Sequence, residues 1–208
     1  MKIIKYKKLK DNRYEIELNG TKIILYDDII VKYNLLYKEY IDKALLLEIT
    51  ALNDELSAYY KAVKYINTRL RSKKEIIKYL ERYEYSTDLI EKTINKLKKE
   101  GFINHKLYLE SFINDQLKFS NNGPFKIKLL LNNLGFNDEE INIYLAKISV
   151  KTWQDKLTKI INKRVTLNKK DPERVFKEKT AIFLNNLGYS YELFNELLDK
   201  IHFNDEVK

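Results

Sequence analysis

Apolar residues recur in three segments of the chain at the same distances from an anchoring leucine. The anchors are Leu80, Leu131 and Leu184, and the last two begin the near-identical stretches LNNLGF and LNNLGY. Five, ten, fourteen and seventeen residues after each anchor, the chain again carries an apolar or aromatic residue. Spacings of three and four are typical of one buried face of a helix. The pattern predicts three tandem helical repeats of about fifty residues.

Residue types at the predicted helix ends agree with this register. Residues that favour the N-cap follow each anchor by six positions: Ser86, Asn137 and Ser190. Gly135 and Gly188 suit the left-handed residue that ends a helix, whereas Glu84 holds that position in the first repeat. Ser72 and Glu75 have the spacing of a capping box at the start of an earlier helix.

An amphipathic stretch precedes each helix pair, so each repeat should contain three helices. These stretches cover residues 54–69, 105–119 and 152–166. The predicted organisation is an N-terminal segment of residues 1–52 followed by repeats at 53–104, 105–150 and 151–208.

The N-terminal segment has a different pattern. RYEIEL and TKIILY flank Asn19-Gly20, which supplies the positive φ angles of a two-residue turn. Pairing Leu18 with Thr21 places the apolar side chains on one face, and residues 38–52 read as a separate helix. We therefore predict a mainly α protein, in which three tandem three-helix repeats form an elongated curved array behind a small β-hairpin cap.

Composition argues against catalysis. The chain of 208 residues has no cysteine, and its five glycines are all used in turns or at helix ends, which leaves none for a phosphate-binding loop. His105 and His202 are far apart and show no metal-ligand spacing. We expect a cytoplasmic, monomeric protein that is not an enzyme, with no catalytic residue, no cofactor, no metal site and no membrane segment.

Positive charge is concentrated in the first repeat. The formal net charge is +9, and residues 57–104 hold twelve basic residues against six acidic ones. Seven of these basic residues surround a single nearby acidic residue, Glu75: Lys61, Lys64, Arg69, Arg71, Lys73, Lys74 and Lys78. Such a cluster would attract a polyanion. The tyrosines at 59, 60, 65 and 79 lie among these basic residues. Tyrosines in such positions more often pack in the core than stack on nucleic-acid bases.

The first repeat resembles the RecX family, the regulators of the bacterial recombinase RecA. The resemblance is carried by AVKYI at 62–66, RLRS at 69–72 and GFI at 101–103, and it continues to Gly123-Pro124. It covers about residues 57–205 in repeat architecture. The N-terminal hairpin with DDIIVKYNL is similar to the extended form of the family.

The resemblance implies a protein that binds the RecA filament on single-stranded DNA. It implies inhibition of filament assembly, and with it of ATP hydrolysis, strand exchange and coprotease activity. Single-stranded DNA would be contacted directly or through RecA. The residues expected to contact the filament are the seven basic residues of the first repeat. Ser72 and Glu75 are expected to cap a helix. Weaker candidates lie in the later repeats: Lys126, Lys128, Lys169, Lys170 and Arg174.

Two alternatives remain at this level. A direct nucleic-acid-binding protein with helix-turn-helix-like units would show base-reading side chains on an exposed helix. The helix DLIEKTINKLKKE instead has the mixed Lys, Glu and Asn typical of a solvated face. A purely structural adaptor would be indifferent both to nucleic acid and to RecA.

Overall fold

The computed structural model describes residues 1–167 and 172–202. They fall into two compact units, one spanning Met1–Ile103 and one that begins at Asn104. The strands of the first unit are β1 (Ile3–Lys8), β2 (Arg13–Leu18) and β3 (Thr21–Tyr26). Its helices are α1 (Asp27–Lys32), α2 (Lys43–Ile66), α3 (Lys73–Glu81) and α4 (Thr87–Lys99), with a 3-10 turn at Leu35–Tyr37. The second unit contains α5 (His105–Phe119), α6 (Pro124–Asn133), α7 (Asp138–Leu145), α8 (Val150–Leu167), α9 (Glu173–Asn186) and α10 (Tyr191–Asp199).

The N-terminal sheet has three antiparallel strands in the order β1-β2-β3, where the sequence predicted a hairpin alone. The hairpin register is as predicted, since Leu18 pairs with Thr21 across a turn in which Gly20 has φ +84°. The added strand β1 pairs with β2 and contains an irregularity between Ile3 and Lys5. Ile16, on β2, is fully buried against α1 and α2.

Helix α2 is a single helix of 24 residues, where the sequence indicated two. Residue 52, the predicted end of the N-terminal segment, lies inside it. The N-terminal part of α2 places Ile49 in the core beneath the sheet, whereas Ala58 and Ala62 belong to the core of the first repeat. One continuous helix therefore contributes to two separate hydrophobic cores.

The apolar positions that defined the repeats are structural. Leu80, Leu131 and Leu184 are all fully buried, and none of the residues five, ten, fourteen or seventeen positions further on is exposed. The residue before the aromatic position has positive φ in every repeat, including Glu84 at +59°. In the second unit these positions merge into one core that also contains Trp153.

Two turns in the second unit approach each other closely. At the start of α6, the Gly123 N–H donates to the Leu187 carbonyl (2.7 Å), and the Phe125 N–H donates to the Gly188 carbonyl (3.1 Å). A Cβ atom on Gly188 would lie 2.3 Å from the backbone nitrogen of Lys126. The backbone contact between α6 and the α9–α10 turn therefore requires glycine at 188.

No helix in residues 1–167 or 172–202 is both long enough and apolar enough to cross a membrane. The division into repeats at residues 52, 104 and 150, and the curvature of the array, remain predictions.

Candidate functional site

The start of α3 organises the basic cluster of the first repeat. The Ser72 N–H donates to Glu75 Oε2 (2.8 Å), and the Glu75 N–H donates to Ser72 Oγ (3.2 Å). This reciprocal pair is the capping box that the sequence predicted. It fixes the Glu75 carboxylate at the junction of α2 and α3.

Two arginines of the cluster face this carboxylate. Arg69 lies 2.7 Å and Arg71 3.7 Å from Glu75 Oε1. The Arg71 side chain is only 12% exposed, its guanidinium stacks 3.8 Å from the Tyr65 ring centre, and it donates to Thr68 Oγ1. Arg71 therefore helps to hold the α2–α3 junction together, and its guanidinium is turned away from solvent.

The lysines of the cluster divide into two kinds. Lys61 is half-buried, donates to the Tyr85 hydroxyl (2.8 Å) and lies 4.1 Å from the Tyr83 ring centre. The others are exposed and have no carboxylate within 4.0 Å in the described part of the chain: Lys64, Lys73, Lys74 and Lys78. Five of the seven predicted basic residues lie in or beside the α2–α3 connection, whereas Lys61 lies one turn earlier on α2 and Lys78 lies in the last turn of α3. Of the five lysines, the four exposed ones are open to a partner.

A groove of about 1170 Å³ lies beside the cluster in the first unit. We call it the tyrosine groove because four tyrosines from β3, α2 and the α3 region line it: Tyr26, Tyr60, Tyr79 and Tyr83. Its basic side chains are Arg13, Lys32, Lys61 and Lys64, and its acidic ones are Asp11, Asp27 and Asp28. Lys61 and Lys64 therefore belong both to the predicted cluster and to this groove.

The tyrosines are held in fixed orientations. The Tyr60 hydroxyl donates to Asp28 Oδ2 (2.8 Å), and this hydrogen bond raises the pKa of Tyr60 to about 12. The hydroxyls of Tyr79 and Tyr83 lie 3.2 Å apart, and that hydrogen bond raises the pKa of Tyr79 to about 12. Tyr65 and Tyr79 stack with their ring centres 4.1 Å apart. Fixed aromatic faces beside exposed ammonium groups can bind the bases and phosphates of a single strand.

Sequence reasoning did not assign Tyr26, Asp28 or Tyr83 to the site. Tyr26 and Asp28 lie more than thirty positions from the cluster and reach it only because β3 and α1 pack on α2. Tyr83 belongs to the stretch RYEY at 82–85, where alternating aromatic residues beside the basic cluster were an available signal.

Two of the five weaker candidates in the later repeats form ion pairs. Lys128 pairs with Asp138 at 2.8 Å, which with the Asn132 amide lowers the pKa of that carboxyl. Arg174 pairs with Glu178 at 3.0 Å on an exposed helix face. Lys126 is half-buried and lies against the α9–α10 turn. The remaining two, Lys169 and Lys170, lie outside the described residues.

The histidines lie in ordinary environments. His105 packs 5.2 Å from the Phe136 ring centre, and His202 lies 3.7 Å from Glu173. Within residues 1–167 and 172–202, no three His, Cys, Asp or Glu side chains are grouped to hold a metal ion.

Comparison with known proteins decides the family. Residues 58–97 match the family model described as RecX, first three-helix domain. Regulatory protein RecX of Streptococcus agalactiae serotype V is 31% identical over 204 residues, which cover 97% of this chain and 77% of that protein. The chain belongs to the RecX family. Regulatory protein RecX of Lactococcus lactis subsp. lactis is 30% identical over 213 residues, covering 96% of this chain and 76% of the relative.

Solved RecX structures share the fold. RecX from Lactobacillus salivarius matches with a TM-score of 0.65 and 29% identity, covering 72% of this chain and 99% of the other. A second crystal structure of regulatory protein RecX matches with a TM-score of 0.75 and 21% identity, covering 96% and 99% of the two chains. The RecX fold therefore extends over nearly the whole chain.

Proposed function

We propose that this RecX-family protein binds the RecA filament on single-stranded DNA and inhibits its assembly. Inhibition of ATP hydrolysis, strand exchange and coprotease activity would follow, and the protein would act in the cytoplasm by binding, without catalysis. The observation that carries the proposal is the match to proteins named regulatory protein RecX along nearly the whole chain. The RecA partnership itself comes from the resemblance noted in the sequence.

The exposed lysines of α2 and α3 support this proposal. Lys64, Lys73, Lys74 and Lys78 have no carboxylate within 4.0 Å among the described residues, and Lys64 shares its groove with tyrosine rings held in place by hydrogen bonds. A nucleoprotein filament presents phosphate groups and acidic protein surface, and both are attracted to such a field. We assign these four lysines the contact with the filament, and Arg69 and Arg71 the support of the surface through Glu75.

The test is ATP hydrolysis by the cognate RecA on single-stranded DNA, with and without the protein. Wild-type protein should reduce hydrolysis, and a variant with Lys64→Glu, Lys74→Glu and Lys78→Glu should lose this effect while keeping its helical circular dichroism. Arg71 is left unchanged because its loss would disturb the fold.

A matched control is available in the same unit. Lys2, Lys38 and Lys43 are exposed lysines that neither belong to the basic cluster nor line the tyrosine groove, and changing all three to Glu alters the net charge equally. This control should inhibit RecA as the wild type does. Unchanged RecA hydrolysis with wild-type protein at low salt, together with tight binding of bare DNA, would instead support direct nucleic-acid binding and end the proposal.

A further inference from the structure

A second basic groove lies in the unit that begins at Asn104, and none of the predicted contact residues that the structure describes lines it. Its volume is about 590 Å³, and it is formed by one face of α8, the end of α5 with the following loop, and Phe183 of α9. Among the residues that the structure describes, the cationic side chains in its lining are Lys118, Lys156, Lys159, Lys163 and Arg164, and the one carboxylate is that of Asp155. We call this the α8 groove.

Helix α8 spreads its lysines along the groove. Lys156, Lys159 and Lys163 follow spacings of three and four, so they share one helix face. From the first to the third, the helix rises about 10 Å. Lys159 and Lys163 are exposed, and neither has a carboxylate within 4.0 Å among residues 1–167 and 172–202. This row of charges is longer than a single phosphate group and suits a chain of phosphates.

The base of the groove is fixed by hydrogen bonds. Lys156 is half-buried and donates from Nζ to the Gln116 carbonyl (2.8 Å) and the Asn122 carbonyl (3.3 Å). Burial lowers its pKa to about 8. Ser120 and Asn122 also bond the Gln116 side chain, so the loop that forms one wall is held in place. An anion bound beside this ammonium would offset the cost of its burial.

Around Arg164 the groove is also lined by apolar side chains. Arg164 donates to Thr180 Oγ1 (3.2 Å), and its guanidinium stacks 4.3 Å from the Phe183 ring centre. Leu167, which is 73% exposed, and Ile160 also line the groove. A stacked guanidinium and phenyl ring beside aliphatic side chains offers a surface for a planar base.

We propose that the α8 groove binds single-stranded nucleic acid, with successive phosphates on the lysines of α8 and a base against Phe183 and Leu167. The proposal adds a binding site to the proposed function. It rests on that function only in taking the strand to be the single-stranded DNA of the RecA filament. A peptide of acidic residues would satisfy the lysines but would leave Phe183 and Leu167 without a partner. A small phosphate compound would leave much of the 10 Å row of charges empty.

The test uses the full-length protein and an oligothymidylate of about 16 nucleotides, without RecA. The variant Lys159→Glu/Lys163→Glu should bind the strand more weakly, and the log–log salt slope of its affinity should be less steep by about 0.7 for each lost phosphate contact. Lys106→Glu/Lys151→Glu is the control, since both lysines are exposed in the same unit, lie outside the groove lining and give the same charge change.

Three results would overturn the proposal. The first is an equal loss of affinity in the groove variant and the control. The second is a strand without bases that binds as tightly as oligothymidylate, since a stacked base should improve affinity about tenfold. The third is displacement of the strand by an equal concentration of inorganic pyrophosphate. Because RecA is absent, a failure of RecA inhibition would leave these measurements unaffected, and the two proposals fail separately.

Discussion

Replacing Gly188 by alanine should lower the free energy of unfolding of the second unit. This loss should be far larger than the loss that Gly101→Ala causes in the first unit. Both glycines end a helix with similar φ angles, +84° and +80°. A Cβ atom on Gly101 would meet nothing within 4 Å, whereas one on Gly188 would lie 2.3 Å from the Lys126 nitrogen and 2.7 Å from its Cβ atom. The pair of variants therefore separates backbone strain from close approach.

The magnitudes follow from these two terms. A left-handed conformation costs an L-residue about 1–2 kcal/mol, and replacing glycine returns about 0.4–1 kcal/mol by restricting the unfolded chain. Gly101→Ala should therefore lower the free energy of unfolding by roughly 1 kcal/mol. Gly188→Ala must also move α6 away from the turn, which adds about 1–3 kcal/mol for overpacking.

The free energy of unfolding should be measured by urea denaturation followed by circular dichroism, with hydrogen exchange to assign each transition to its unit. In thermal melts, the transition of the affected unit should fall further for Gly188→Ala than for Gly101→Ala, at roughly 4–8 °C per kcal/mol for a unit of about 100 residues. Equal losses in the two variants would refute the close contact between α6 and the α9–α10 turn.

Three further predictions concern single side chains. Leu131→Ala removes a fully buried anchor and should lower the free energy of unfolding by about 2–5 kcal/mol; unchanged thermal stability would contradict the repeat register. Glu84→Gly should raise it by up to about 1 kcal/mol, because Glu84 has φ +59° where the other repeats have glycine; a lower melting temperature would contradict this. Asp28→Asn should lower the pKa of Tyr60 from about 12 toward its ordinary value, because the carboxylate that stabilises the protonated phenol is lost. Ultraviolet titration would show one fewer late-titrating tyrosine, and an unchanged profile would exclude that hydrogen bond.

Signals between residues close in the sequence were sufficient to predict the helical repeats. The leucine anchors and the capping box at Ser72 depend on residues three to seventeen positions apart, and each corresponds to a single helix or helix pair. Asn19-Gly20 likewise set the register of the hairpin through the geometry of its own turn.

The features that the sequence did not predict depend on distant contacts or on broken periodicity. Strand β1 was not predicted, because its irregularity between Ile3 and Lys5 interrupts the alternation of apolar and polar residues. The helix break expected near residue 53 is absent because Asn53 does not cap a helix. Its amide donates to the Ile24 carbonyl and accepts from the Tyr26 N–H, which joins α2 to the end of β3. The tyrosine groove formed by this packing was unpredictable for the same reason.

The continuity of α2 has a consequence for how the first unit opens. Its middle turns link a segment packed under the sheet to a segment packed in the first repeat, and Ile49 and Ala58 mark the two ends of that link. Melting either core would leave half of a hydrogen-bonded helix without tertiary support, and a helix of that length alone is marginal in water. The sheet and the first repeat should therefore open together as one cooperative foldon. Amide protons in the middle of α2 should then exchange with solvent only when both cores open.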